Sequence, residues 1–337
     1  MKVLIIRTDH LGDVVLMTPL VRALALAGHQ VSVTVPRAVM PVFSHNPRLT
    51  ACHAMEDIAP NFPQSWRSLS RWLRTQQLDV LILPQAGSKQ LLWASALSGI
   101  PTRIAMWAGV WGRLTGHRCL RSGMLKSSRH FSDIVLDCAR ALGLPGGSLA
   151  PEIFLTPAEK DEGVALCHSK FPGWKVIGLH PGCAGNTCNL PAAEYGRLAD
   201  LILTQSECAI VITGLDREKN LLQAWPKSVL ESPRVWNSMG QLDLRQLMAM
   251  IDRLAVFVCP STGPLHLASA LGIKTVSPFC SRPGLNHQVW GNLGGPAEVI
   301  EAVLPDCRLN TGKKIVCDFR GAISAEALWI KTRALLG

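Results

Sequence analysis

Short apolar runs alternate with stretches of helical spacing along the whole chain. KVLIIR at the start reads as a strand, because its apolar residues are consecutive rather than spaced by three and four. A helix is expected from about Asp13 to Ala27. QVSVTVP (30–36) alternates like a strand, WRSLSRWLRTQ (66–76) has helical spacing, and LDVLILP (78–84) reads as a buried strand. KQLLWASALSG is a short helix ending at Gly99, and TRIAM is a strand. Residues 107–130 show no period and read as irregular. FSDIVLDCARALGLPGG is a helix with a glycine stop.

Residues 144–160, GLPGGSLAPEIFLTPAE, form the best linker candidate, with turn residues and little periodicity. The pattern then restarts. KVIGLHPG (175–182), CAIVITG (208–214), LAVFVCP and KTVSPF are strands; AAEYGRLADLILTQ, DREKNLLQAW, LDLRQLMAMIDR and GPLHLASALG are helices. Strands alternating with helices predict an α/β fold with two βαβ-type halves, each a parallel sheet wrapped by helices. The expected division is 1–155, 156–320, and a last helix within 321–337 that packs on either half.

Composition agrees with buried parallel strands. The 337 residues are 48% hydrophobic and only 17% charged, with a mean hydropathy of +0.21. No segment reaches membrane-spanning length, and the first apolar run ends at Arg7, as a strand does and a signal peptide does not. Eleven cysteines lie scattered without a CxxC pair or zinc spacing. An odd, unpatterned set points to a reducing cytosol, with most of them core residues.

Charge is uneven. Residues 1–150 hold 16 Lys+Arg against 7 Asp+Glu, an excess of nine; residues 151–337 hold 18 against 17, an excess of one. No acid lies between Val80 and Ser132, where Lys89, Arg103, Arg113, Arg118, Arg121, Lys126 and Arg129 are interleaved with Trp93, Trp107 and Trp111. Such a surface attracts an anionic partner: nucleic acid, lipid headgroups or an acidic substrate. A solvated basic face without a partner has the same composition.

In parallel sheets ligands sit beyond the carboxyl ends of the strands. Four loops fall there: RTDHLGD, HPGCAGNTCN, TGLDREKN and CPSTGPLH. In the last, Ser261 and Thr262 precede a helix whose first residues are Gly263 and Pro264, with His266 one turn in. Free amides and the helix dipole there suit a phosphate, although an ordinary N-cap explains the same residues. His180, Gly182 and Thr187 in the second loop and Gly214 in the third let a ligand approach the backbone. Neither GxGxxG nor GxxxxGK[ST] occurs, which argues against nicotinamide enzymes and P-loop ATPases. In the first loop, Asp13 is a candidate general base; an acid favoured by the helix dipole is the plainer account. Asp9 and His10 add a metal reading, but one such loop is a poor cage.

R-T-D-H-L-G-D-V-V-L-M-T-P, H-P-G and S-T-G-P-L-H-L-A-S-A-L-G, in that order, resemble glycosyltransferase family 9, the heptosyltransferases of lipopolysaccharide core assembly. Further matches run through LDVLILPQAGSKQLLWASALSGIPTRIAM, ITGLDREKN and NSMGQLDLRQLMAMIDRLAVFV. The resemblance implies a GT-B fold, two Rossmann-like parallel-sheet domains facing across a cleft, with an N-terminal acceptor domain and a C-terminal nucleotide-sugar domain. It implies inverting transfer of a sugar, typically heptose from ADP-heptose, with no metal and no cofactor beyond the donor. Asp13 matches the family's catalytic aspartate. Thr262, Gly263 and His266 match the diphosphate-binding segment, and His180, Gly182, Thr187, Gly214, Ser261 and Pro264 complete the expected donor set. Arg113, Arg118, Arg121 and Lys126 are the expected acceptor contacts. The partners implied are a nucleotide sugar, an anionic lipid A–core acceptor and an anionic membrane, not nucleic acid. The location implied is the cytoplasmic face of the Gram-negative inner membrane.

Two departures bear on the donor. Members often carry Lys-Arg-Trp-Pro where this chain has Cys188-Asn189-Leu190-Pro191, and members with heptose donors often carry Asp-Ser-Gly, its aspartate linked to the donor sugar, where it has Ser261-Thr262-Gly263. Arg217, Lys219 and Arg282 are candidates to restore the lost cation. Another nucleotide sugar, a GT-B epimerase or hydrolase, and a binder without activity stay open.

Overall fold

The computed structural model describes residues 1–85, 88–120, 128–183, 185, 187–303 and 317–337. The chain divides into two compact units, Met1–Phe154 and Leu155–Gly337.

The first unit runs β1 (Lys2–Ile6), α1 (Leu11–Val15), α2 (Thr18–Leu26), β2 (Gln30–Val35), β3 (Ala51–Ala54), α3 (Met55–Ile58), α4 (Trp66–Thr75) and β4 (Val80–Leu83). It continues with α5 (Lys89–Ala96), β5 (Thr102–Met106), α6 (Gly109–Leu114), β6 (Arg118–Leu120), α7 (Phe131–Val135) and α8 (Asp137–Arg140). The second runs α9 (Pro157–Lys170), β7 (Val176–Leu179), α10 (Ala192–Gln205), β8 (Ala209–Ile212), α11 (Lys227–Leu230), β9 (Val235–Asn237) and α12 (Leu244–Ile251). Then follow β10 (Val256–Val258), α13 (Gly263–Ala270), β11 (Thr275–Cys280), α14 (His287–Trp290), β12 (Ala297–Ala302) and α15 (Ala325–Leu336).

Every strand pair is parallel. The sheets are ordered β3-β2-β1-β4-β5-β6 and β12-β11-β10-β7-β8-β9. Numbered within its own unit, each sheet is therefore 3-2-1-4-5-6, the doubly wound order whose direction reverses between the first and fourth strands. The central strands are apolar on both faces because helices cover both. Ile5 sits in register with Val33 and with Ile82, and β1, β4, β7 and β8 are buried along nearly their whole length.

Local chemistry explains where the elements differ from the sequence expectation. The helix expected over 13–27 breaks into α1 and α2. Pro19 in the first turn of α2 has no N–H to give, and the Thr18 hydroxyl donates to the Val15 carbonyl at 2.8 Å instead. The expected helix 131–147 is likewise two short ones. DREKNLLQAW is a 3-10 helix over Asp216–Ala224. The stretch 107–130 is not wholly irregular, since it holds α6 and the edge strand β6.

The expected linker is largely ordered. Glu152 accepts from Arg22 at 3.0 Å and Arg48 at 2.6 Å, and its amide donates to Thr18 Oγ1, so the segment is pinned to α2. Beyond it, Thr156 and Glu159 form a reciprocal cap that starts α9. The C-terminal helix α15 packs on α10 and on β10 to β12 of the second unit. Among the described residues, no helix is long and apolar enough to cross a membrane.

Candidate active site

In the first unit the reversal point lies between β1 and β4. The β1 ladder continues one step past its end, where the Arg7 amide donates to the Thr34 carbonyl at 3.0 Å. That step turns the Arg7 side chain inward, fully buried. Its Nη2 lies 3.0 Å from Asp9 Oδ2, 3.1 Å from Asp13 Oδ1 and 3.2 Å from Gln85 Oε1. One guanidinium nitrogen thus ties the loop after β1 to the loop after β4. The guanidinium carbon stands 5.1 Å over the Phe131 ring, which stacks on Trp107. Nε and Nη1 have no hydrogen-bond partner among the described residues.

Asp13 is the third residue of α1, in the first turn, where an acid is favoured by the helix dipole. Its side chain keeps about a fifth of its surface in solvent. Burial raises its carboxyl above the usual range. Arg7 pulls it down, Asp9 pushes it up and His10 pulls it down. The result is a carboxylate held in place by a buried cation, more basic than an exposed aspartate, and still open to an incoming hydroxyl.

In the second unit the reversal point lies between β7 and β10. His180 follows β7, and its amide donates to the Val258 carbonyl of β10 at 3.0 Å. Its Nδ1 is 2.9 Å from Thr213 Oγ1. Burial lowers its pKa to about 4, so at neutral pH it brings no positive charge to a phosphate. Thr187 is buried in the same loop.

The tip of α13 is different. Thr262 is its N-cap by backbone geometry, yet its hydroxyl makes no cap bond to the helix. The Thr262 amide donates to the Pro260 carbonyl at 2.8 Å, the Leu265 amide donates to the Thr262 carbonyl at 3.0 Å, and Pro264 has no N–H. The Gly263 amide is left at the tip with no hydrogen-bond partner among the described residues. Ser261 is half-buried beside it, and His266 is buried one turn in, its ring 6.3 Å from that of Trp290. A helix tip with an unspent amide, beside an N-cap hydroxyl whose only bond is a long one of 3.4 Å to the Pro260 carbonyl among the described residues, is an anion-binding arrangement.

Sequence reasoning missed Glu218. Its Oε2 accepts from the Leu215 amide at 2.8 Å. A Cβ on Gly182 would fall 2.4 Å from its carboxylate, and one on Gly214 3.2 Å. Both glycines make room for this carboxylate at the carboxyl ends of β7 and β8, rather than only for a ligand. The signal was present in L-D-R-E, an acid three residues beyond the loop, as a helix start requires.

The other candidates scatter. Arg113 is exposed at the end of α6, and the Arg118 guanidinium donates to the Ala141 carbonyl. Arg121 and Lys126 lie outside the described residues. Cys188 and Leu190 are buried in the second unit's core, and Asn189 bonds Pro181 and Tyr195. An ammonium at position 188 would be desolvated there, so the departure from Lys-Arg-Trp-Pro reflects packing as well as lost charge. Of the substitute cations, Lys219 pairs with Asp216 at 2.7 Å. Arg217 is exposed, and Arg282 is half-buried just beyond the carboxyl end of β11, next to β10. Among the described residues, no three His, Cys, Asp or Glu side chains are grouped to hold a metal.

Comparison with known proteins gives a consistent picture. Residues 132–298 match the family described as glycosyltransferase family 9 (heptosyltransferase). A protein of Haemophilus influenzae named "Putative glycosyltransferase" is 27% identical over 298 residues, 82% of this chain and 81% of its own length. The structure of E. coli ADP-heptose lps heptosyltransferase II aligns with a TM-score of 0.80 at 20% identity, covering 100% of this chain and 98% of that one. A family 9 glycosyl transferase from Veillonella parvula aligns at 0.79 and 16% identity, covering 99% and 97%. E. coli heptosyltransferase WaaC with ADP aligns at 0.66 and 15%, covering 99% and 97%.

Proposed function

Because the chain belongs to glycosyltransferase family 9, has the GT-B fold and is a glycosyltransferase, we propose that it transfers a sugar, with inversion, from an ADP-linked donor to an anionic lipopolysaccharide core acceptor. Heptose is the first donor sugar to test. In this reading the acceptor hydroxyl oxygen forms the new bond to the anomeric carbon while the bond from that carbon to the ADP oxygen breaks. Asp13 takes the hydroxyl proton, and ADP leaves with the bonding pair.

The carrying observation is the shared placement of the two groups. Each unit sets its chemistry at its own topological reversal point: a carboxylate on a buried arginine in the first, an uncapped helix tip in the second. Arg7 is the positioning residue for Asp13. Gly263 N–H and Thr262 Oγ1 hold the donor phosphates, with Ser261, Pro264 and His266 shaping the tip. Glu218 accepts the ribose hydroxyls, as a carboxylate at this place in a nucleotide fold does. Arg282 supplies the phosphate cation that position 188 lacks. The acceptor domain is the first unit and the nucleotide-sugar domain the second, and Arg113 and Arg118 meet acceptor phosphates. The enzyme works peripherally at the cytoplasmic face of the inner membrane.

Mass spectrometry of truncated core glycolipid incubated with ADP-heptose and a panel of other nucleotide sugars tests this. A mass increase of one sugar with ADP-heptose supports the full reading. An increase with another donor moves the sugar assignment. Donor consumed with no acceptor present turns the reading to a hydrolase.

A further inference from the structure

The outer face of the first unit carries an apolar patch that folding does not bury. Gly112 is buried against β6, where a Cβ would strike Cys119 Sγ at 2.7 Å. This close seating turns the neighbouring residues of α6 outward: Val110 is 63% exposed, Leu114 66%, and Trp111 is exposed between them. On α5, Lys89, Trp93 and Leu97 recur every four residues along one exposed stripe. The two helices meet there, with Lys89 Nζ 4.3 Å over the Trp111 ring. Arg74 of α4 reaches the same edge, its Nε donating to the Leu97 carbonyl at 2.7 Å. Arg67 and Arg71 are exposed on α4, and Arg113 on α6. From Trp66 to Leu120 the sole acid is Asp79, and it accepts from the Lys2 amide on the other side of β4.

We propose that this α5–α6 face docks on an anionic lipid bilayer, with Val110, Trp111, Leu114, Trp93 and Leu97 entering the headgroup–acyl boundary and Lys89 and the α4 arginines contacting headgroup phosphates. This deepens the reading of a membrane-borne acceptor and rests on it for its purpose, though not for its test. Charge complementarity selects the occupant. A second copy meeting this face about a two-fold axis would set Lys89 and Arg113 against themselves. A bilayer accepts both the apolar tips and the cations, and tryptophan suits the depth between them. Each cation near such a surface strengthens binding about fivefold, and salt screens it.

The test is flotation with phosphatidylglycerol vesicles that contain no glycolipid, against pure phosphatidylcholine vesicles. The expected result is binding to the anionic vesicles alone, weakened by salt. Val110→Glu with Leu114→Glu should cut that binding by more than about tenfold. Trp93→Ala with Leu97→Glu serves as a second pair on the other helix. Both pairs should keep the wild-type melting temperature and the transfer rate to a soluble, lipid-free core acceptor. Absence of binding by the wild type, or undiminished binding by both pairs, overturns the proposal. A protein that binds vesicles but transfers nothing keeps the docking face and loses the proposed acceptor. One that transfers to soluble acceptor but ignores vesicles does the reverse. Self-association lost in these variants, without vesicle binding, would assign the face to a second copy instead.

Discussion

In the first unit the loop after the first strand places two carboxylates around a buried arginine. In the second, the corresponding loop carries no charged side chain, and the groups set there are a hydroxyl, a backbone amide and a histidine kept uncharged by burial, with the Glu218 carboxylate brought beside Gly182 from the 3-10 helix after β8. The two sheets share a strand order, so topology does not separate them. What separates them is how each handles charge in a poorly solvated place. Arg7 keeps a partly buried carboxylate ionisable, whereas His180, with a neighbouring hydroxyl and no acid partner among the described residues, is left neutral. A site that takes a proton needs the first arrangement. A site that receives a departing diphosphate needs donors, which the tip of α13 provides, while the Glu218 carboxylate is engaged by the Leu215 amide.

The sharpest way to break the comparison is to remove the carboxylate's charge alone. Asp13→Asn should lower kcat by about a hundredfold to ten-thousandfold while ADP binding, read by calorimetry, stays at the wild-type value. Weaker ADP binding in that variant would mean that the two sites are not separable in this way. The converse change is Thr262→Val with His266→Ala. It should weaken ADP binding by about tenfold to a hundredfold, the effect of losing contacts to a charged group, with the pH dependence of the remaining activity unaltered.

Arg7 gives a subtler test. Its cation opposes both the desolvation of Asp13 and the repulsion from Asp9. Arg7→Met should therefore move the acid limb of the kcat/KM profile to higher pH, because less base is ionised at any given pH. Arg7→Lys keeps the charge and should hold the limb near its wild-type position, with the rate reduced by lost geometry. A uniform loss of rate in both variants, with no movement of the limb, would reduce Arg7 to a packing residue.

The fold class was legible because its signal is a period. KVLII, VLIL and AIVI are apolar on both faces, and only a doubly covered parallel strand needs that. The edge strands β3, β9 and β12 were not legible. They are half-exposed and lack the continuous apolar run, as edges do. Asp13 and the 261–266 turn stood out because helix starts have a local grammar. Arg7 did not. A lone arginine at a strand end reads as the strand's solvated boundary, and partners far along the chain, Gln85 and the Phe131 ring, join Asp9 and Asp13 in holding it inward. Glu218 was hidden for the same reason, since its meaning lies in the room that Gly182 and Gly214 leave for it.

The smallest effect concerns how the second unit is held together rather than what it does. Glu159 accepts from Arg245 Nε at 2.7 Å and Nη2 at 2.6 Å, joining α9 to α12, and its Oε2 also accepts from the Thr156 amide. These contacts lower its pKa to about 2, with the Arg245 hydrogen bonds as the largest cause. A carboxyl whose folded pKa is depressed stabilises the fold fully above its unfolded value, near 4.5. That contribution is lost as pH falls toward about 2. The pair keeps some solvent contact, which screens it, so Glu159→Gln should cost about 1–2 kcal/mol at neutral pH. The difference from wild type should shrink through the window from about 4.5 down to about 2. Denaturant melts across that range check it, and a deficit independent of pH would assign the loss to the cap of α9 alone. The first unit's chemistry should not feel this change. Vesicle binding and the acid limb set by Arg7 and Asp13 are expected at their wild-type values, because Thr156 and Arg245, to which Glu159 bonds, both lie within Leu155–Gly337.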